Sequence, residues 1–101
     1  MSPTEPGQFT VAHEEKDRRG AFYIEQDGKR VAEMTYARNA PALITIDHTK
    51  VDASLGGKGV GRRLLDTAVR WARETHTKVI ATCTYASAQF AKDPSIRDVL
   101  E

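Results

Sequence analysis

The residues with the most capacity for chemistry are glycines. In Leu55-Gly56-Gly57-Lys58-Gly59-Val60-Gly61-Arg62-Arg63 four glycines fall within six positions, and the run opens directly into an amphipathic stretch. Glycine takes positive φ without penalty and lets a backbone approach a ligand closely, while a helix start offers unpaired N–H groups and the positive end of a dipole. The combination suits a phosphate, and the cations Lys58, Arg62 and Arg63 around bare amides suit a pyrophosphate. Gly61 is followed by Arg62 and not by the Lys-Ser/Thr of a P-loop, and the glycine spacing is not the dinucleotide fingerprint, so nucleoside triphosphate and NAD readings weaken. The plainer alternative is a tight strand-to-helix connection. Against it, cations at a helix N-terminus oppose the dipole, a conflict that an anionic ligand resolves.

Two further residues have reactive side chains. Cys83 is the single cysteine, which excludes an internal disulfide and a cysteine-built zinc site and leaves either a small core residue or a reactive thiol. His48 follows an apolar run, where an imidazole serves as a base or as a hydrogen-bonded structural group, with Asp47 placed to orient it. His13 and His76 read as solvated surface residues without a third ligand, so no metal site is expected.

The elements that must position these residues follow from periodicity. Ala21 to Gln26 is aromatic and β-prone, Asp27-Gly28 is a hairpin signal, and Lys29 to Tyr36 alternates Val31, Glu33, Thr35 against Ala32, Met34, Tyr36. Asn39-Ala40-Pro41 breaks the run, and Ala42 to His48 is a third strand. Three antiparallel strands are thus expected before the glycine turn. From Val60 to Thr75 the apolar residues Val60, Leu64, Leu65, Ala68, Val69, Trp71 and Ala72 recur at helical spacing, with Asp66/Arg70 and Arg70/Glu74 as i,i+4 pairs and Trp71 closing the core. Lys78 to Cys83 is a short apolar strand, so strand, helix and strand form a crossover with the third and fourth strands parallel. Ala86 to Ala91 is a short helix, and Pro94 opens another running to Leu100 with Asp93 as its cap. The fold class is α/β with a mixed sheet.

With 101 residues, 40% hydrophobic and 29% charged content and a net charge of +1, the chain is expected to form one domain over 10–101, with 1–9 as a loose tail. No apolar run approaches the roughly 18 residues of a membrane span, and no basic start or apolar stretch marks a secretory signal, so a cytoplasmic location is expected. The balanced charge argues against a nucleic-acid partner.

Taken together, a hairpin, a strand ending in Ile46-Asp47-His48-Thr49, a glycine turn with its helix, and a strand ending at Cys83 resemble the GNAT N-acetyltransferase superfamily, in particular its minimal single-domain YjdJ-type members. In that family the pattern Gln/Arg-x-x-Gly-x-Gly/Ala binds the pyrophosphate of acetyl-coenzyme A, and Gly59 and Gly61 occupy its two glycine positions. Asp47-His48-Thr49 and the Cys83, Tyr85, Ala86 segment match the marks of the small subfamily, over about residues 20 to 100. Two departures stand out: Gly56 replaces the usual Gln or Arg but retains a backbone donor, and Ala81 and Thr84 stand where many relatives carry prolines.

The resemblance implies a mixed-sheet acetyltransferase fold and acetyl-CoA as co-substrate. It further implies contacts from Thr49, Lys50 and Val51 along the pantetheine arm and from Gly56, Gly57, Lys58, Gly59, Val60, Gly61, Arg62 and Arg63 at the phosphates, with Cys83, Thr84 and Tyr85 facing the thioester. Cys83 would accept the acetyl group with His48 as base. In the competing route an amine attacks directly, with His48, Glu33 or Asp47 as base, and Cys83 only lines the pocket. The chain is much shorter than a typical family enzyme, which leaves the acceptor side open to a protein or peptide amine. A monomer is expected. The rival function is a non-catalytic acyl-CoA sensor in which Cys83 and His48 are packing residues.

Overall fold

The computed structural model describes residues 10–101, so the expected tail over 1–9 lies outside the described residues. The five strands β1 (Ala12–Lys16), β2 (Arg19–Gln26), β3 (Lys29–Ala40), β4 (Leu43–Val51) and β5 (Lys78–Ala81) form one sheet in sequential order. The hairpin between β2 and β3 turns at Asp27 (φ 54°) and Gly28 (φ 76°), both left-handed, as a two-residue hairpin turn requires. β3 pairs antiparallel with β4, and β4 runs parallel to β5 from Leu43↔Lys78 to Ile46↔Ala81. The crossover between them is α1 (Val60–Glu74), followed after β5 by α2 (Thr84–Lys92) and a 3₁₀ turn over Pro94–Val99. Asp93 caps that turn, its side chain accepting from the Ser95 N–H at 2.9 Å.

The expected three-strand meander is in fact four strands long, because β1 pairs antiparallel with β2 and forms the far edge. Its sequence Ala-His-Glu-Glu-Lys is half-buried only at Ala12 and has no apolar alternation to betray a strand. The turn that joins it to β2 places Asp17 (φ 55°) and Arg18 (φ 67°) in the left-handed region without a glycine, so the usual hairpin signature is missing as well.

The alternation in β3 sends Ala32, Met34 and Tyr36 into the core and leaves Val31, Glu33 and Thr35 half-buried on the opposite face. α1 lays Val60, Leu64, Leu65, Ala68, Val69 and Ala72 on the core face, a stripe at three- and four-residue spacing that removes roughly 1.5–3 kcal/mol worth of apolar surface from water per large side chain. Ala86, Phe90, Ile96 and Val99 join the same core. All helical segments therefore bury their apolar residues against one face of the sheet. Along α1 the ion pair that forms is Arg62–Asp66 at 2.8 Å; neither of the expected pairs to Arg70 is present.

Candidate active site

β4 and β5 part company at Ile46. Its carbonyl accepts from both the Thr82 N–H (3.0 Å) and the Cys83 N–H (3.2 Å), and beyond this point β5 ends and the chain turns into α2. The β5-facing backbone edge of β4 from His48 to Val51 is thus open. A cavity of about 390 Å³ lies along this opening, bounded by Thr49 and Val51 on β4, the glycines 56, 57, 59 and 61, and Tyr85 on α2.

At the far end of the cavity stands the glycine turn. Gly57 (φ 78°) and Gly59 (φ 69°) are left-handed, and Gly59 is the N-terminal cap of α1 without any side-chain capping bond. The N–H groups of Gly57, Gly59, Val60, Gly61 and Arg62 have no acceptor among the described residues. Five free donors within six residues at a helix start, three of them on glycines without a Cβ, are the donor set that suits a diphosphate. The donor expected of Gly56 is not among them: its N–H is given to the Ala53 carbonyl at 3.1 Å, closing the short 3₁₀ turn Ala53–Leu55.

Arg62 likewise has its donors engaged. Nε reaches Asp66 (2.8 Å), Nη1 reaches Gln89 (2.8 Å), and Nη2 binds the Asp93 carboxylate, so this guanidinium ties α1 to α2 and to the following turn. The bond from Ser95 and that from Arg62 together hold the Asp93 carboxyl down at about 2. Lys58 and Arg63 line an adjoining groove on the outer side of α1, with Gly59 and Val60 shared between the two depressions.

Cys83 is 8% exposed and caps α2, its Sγ accepting from the Ala86 N–H at 3.4 Å. On its other side Thr49 Oγ1 lies 3.1 Å away. This contact across the cleft between β4 and α2 is invisible in sequence, where the two residues are 34 positions apart. Thr84 is exposed at the first position of α2; Tyr85 is half-buried with its hydroxyl pushed up in pKa by burial, and a Cβ at Gly61 would stand 3.2 Å from its ring.

His48 goes elsewhere. A bulge at Asp47 shifts the register between Thr35/Tyr36, so His48 pairs with Thr35 while Thr49 pairs with the buried Met34. His48 is therefore exposed on the sheet face away from the core, opposite Thr49, and the structure does not bring it against Cys83. Lys50, paired with Glu33, lies on that outer face too. Asp47 is held there by Thr35 Oγ1 (2.6 Å) and Arg19 (3.0 Å); burial pushes its carboxyl up, but these two bonds outweigh it and lower the pKa. Rather than orienting His48, Asp47 is anchored to the neighbouring strands.

His13, expected to be a solvated residue, stacks on Phe22 with ring centroids 4.1 Å apart and places Nε2 2.6 Å from Tyr36 Oη. Because Tyr36 donates its only hydroxyl proton to Glu15 (2.7 Å), the His13 ring must carry its proton on Nε2. Trp71 completes the aromatic cluster, half-buried against His13, Phe22 and Tyr36. No cluster of His, Cys, Asp and Glu suited to a metal ion occurs among the described residues, and none of their helices is long and apolar enough to cross a membrane.

A mixed sheet opened between two parallel strands, with a donor-lined glycine turn at the mouth of the opening, defines the class of fold, and comparison with known proteins places the chain within it. Residues 21–99 match the family model described as GCN5-related N-acetyl-transferase, and the chain belongs to that family. It is similar to a GCN5-like protein of Staphylococcus aureus assigned to the N-acetyltransferases, with 35% identity, 94% of this chain and 90% of that one covered, and a TM-score of 0.71. The ribosomal-protein-alanine N-acetyltransferase of Brucella melitensis shares the fold at 21% identity and a TM-score of 0.58; the match covers 67% of this chain but 52% of that enzyme. An aminoglycoside acetyltransferase from an uncultured soil sample shares it at 16% identity, with 78% and 60% coverage and a TM-score of 0.59. No curated protein sequence matches the chain.

Proposed function

We propose that the chain is an acetyl-CoA-dependent N-acetyltransferase that acts on an amine of a protein or peptide, with Cys83 carrying the acetyl group in passing. The observation that supports this best is the cleft itself: an unpaired β4 edge able to bond a pantetheine amide leads from five free N–H groups at the glycine turn to Thr49, whose hydroxyl lies 3.1 Å from the Cys83 sulfur. In the first step the Cys83 sulfur attacks the thioester carbonyl, the bond to coenzyme A breaks, and the departing thiolate takes the proton released by Cys83. In the second step the acceptor amine attacks the S-acetyl group, amide forms, and the thiol of Cys83 is regenerated. The Thr49 hydroxyl lies 3.1 Å from the sulfur and the Ala86 N–H donates to it, so both hold the thiol in position for transfer. In this reading His48, exposed on the uncovered face, takes the proton of an arriving amine rather than that of Cys83. That open face leaves room for a macromolecular acceptor.

Intact mass after incubation with acetyl-CoA tests this reading. A hydroxylamine-sensitive gain of one acetyl group, absent in Cys83→Ala, is expected. If no adduct forms while peptide amines are acetylated at the same rate by Cys83→Ala, transfer is direct. The separation of His48 from Cys83 also favours a second reading, a non-catalytic acyl-CoA sensor. Binding without any transfer above background, unchanged in His48→Ala and Cys83→Ala, would establish that instead.

A further inference from the structure

The outer face of α1 carries charge that the fold does not use. Asp66 stands four residues before Arg70, and an i,i+4 pair between them is the arrangement the sequence favours; instead Asp66 is drawn to Arg62 at 2.8 Å. Arg70 is left without an ion pair or a side-chain hydrogen bond among the described residues, and the same is true of Lys58 and Arg63. These three cations line one groove of about 360 Å³, whose single acid is the already engaged Asp66. Thr67, on the same side, returns its hydroxyl to the Arg63 carbonyl at 3.0 Å and so adds no competing charge.

Position makes the groove more than a solvated helix face. It shares Gly59, Val60 and Arg62 with the cleft, so the two depressions adjoin at the start of α1. Arg63 and Arg70 are seven residues apart, two helical turns or about 10.5 Å, on one side of α1. Gly59 to Arg70 is eleven residues, about 16 Å along the axis, which puts Arg70 three turns away from an anion seated on the glycine turn. A phosphate of the co-substrate serves Lys58 and Arg63; it does not serve the whole line. An acidic polypeptide does, since about three residues of extended chain cover the distance from Arg63 to Arg70.

We propose that this groove docks an acidic segment of the polypeptide whose amine is acetylated, with Arg70 as the residue that selects it. The proposal rests on the transferase reading for its purpose, but the docking is measurable without any transfer. A nucleic acid fits less well: the chain carries only one net positive charge.

The test uses the full chain and a fluorescein-labelled octaglutamate peptide, read by anisotropy, with amide chemical shifts locating the contact. Saturable binding that moves Arg63, Thr67 and Arg70 amides, weakens steeply with salt, falls about tenfold or more in Arg70→Glu and survives in Arg70→Lys is expected. Acetyl-CoA affinity in Arg70→Glu should stay at the wild-type level, which also reports that the variant folds; Arg70→Gln, which adds no repulsion beside Asp66, serves if it does not. Failure of the peptide to bind, or equal binding to wild type and Arg70→Gln, overturns the proposal. So does adenosine 3′,5′-bisphosphate moving the Arg70 amide, or a duplex DNA probe binding more tightly than the peptide. Loss of acetyl-CoA binding in the wild type with peptide binding intact would remove the transferase reading and leave the docking surface standing.

Discussion

Gly59 is the residue on which the site's geometry turns, because it lets the chain pass from the left-handed region at φ 69° straight into α1 while lining the cleft. A Cβ there meets nothing within 4 Å, so the cost of Gly59→Ala is conformational and not a clash, about 1–2 kcal/mol. The expected outcome is a thermal midpoint lowered by several degrees together with weakened CoA binding; a midpoint and affinity equal to wild type would show that the backbone there relaxes freely. The glycines were legible in sequence because their only plausible uses are backbone uses. Which amides remain free was not. The 3₁₀ turn that consumes the Gly56 donor depends on Asp52, whose side chain accepts from Ser54 N–H at 2.9 Å, and nothing in a glycine count reveals that. Arg62 shows the same limit: its partners Gln89 and Asp93 lie 27 and 31 positions away, so a guanidinium that reads as a phosphate ligand ties helices together, and only the Arg62 backbone N–H is left for an anion.

Among the elements, β2 to β5 and α1 were legible because their apolar residues repeat at the period each element demands, whereas β1 holds its place by polar contacts that have no period. Glu15 on β1 accepts from Tyr36 and from Arg38 (2.6 Å and 2.8 Å), and the Arg38 bonds pull its carboxyl down to about 2, while burial keeps His13 below its ordinary value. Both shifts favour the deprotonated form in the folded state, so the unfolded chain binds more protons and stability decreases as the pH is lowered. The His13 contribution is lost as pH drops from about 6.5, and that of Glu15 as it drops from about 4.5 toward 2. His13→Phe, which keeps the stack on Phe22, should abolish the first step in a plot of thermal midpoint against pH and leave the second; an unaltered profile would contradict the assignment. Gly20 makes a separate point about the same corner. A Cβ at that position would stand 2.2 Å from Tyr36 Cζ, so Gly20→Ala should displace the buried ring and lower stability by about 1–3 kcal/mol in denaturant unfolding.

Over the described residues, the sheet has helices on one face and an open cleft at the point where β4 and β5 separate. The Arg62 hub holds α2, with Cys83 at its head, beside the start of α1, so the spacing of the two helices at the cleft is set by this guanidinium and its partners Gln89 and Asp93. Arg62→Met should cost about 1–2 kcal/mol and speed hydrogen exchange in α2 more than in β3; uniform exchange changes would show that the hub does not set the position of α2. The overall topology was legible because strand, helix and strand in that order admit one handed crossover. The division of the site between two sheet faces was not, since the bulge at Asp47 that sends His48 outward leaves no mark in residue types.

The central claim is that the free amides of the glycine turn grip the diphosphate of coenzyme A, and titrating CoA into the full chain while following heat and backbone amide resonances tests it most directly. The account predicts a saturable heat and progressive shifts at Gly57, Gly59, Val60, Gly61 and Arg62 that exceed those elsewhere in the sheet. An absence of heat with those five resonances unmoved would contradict it.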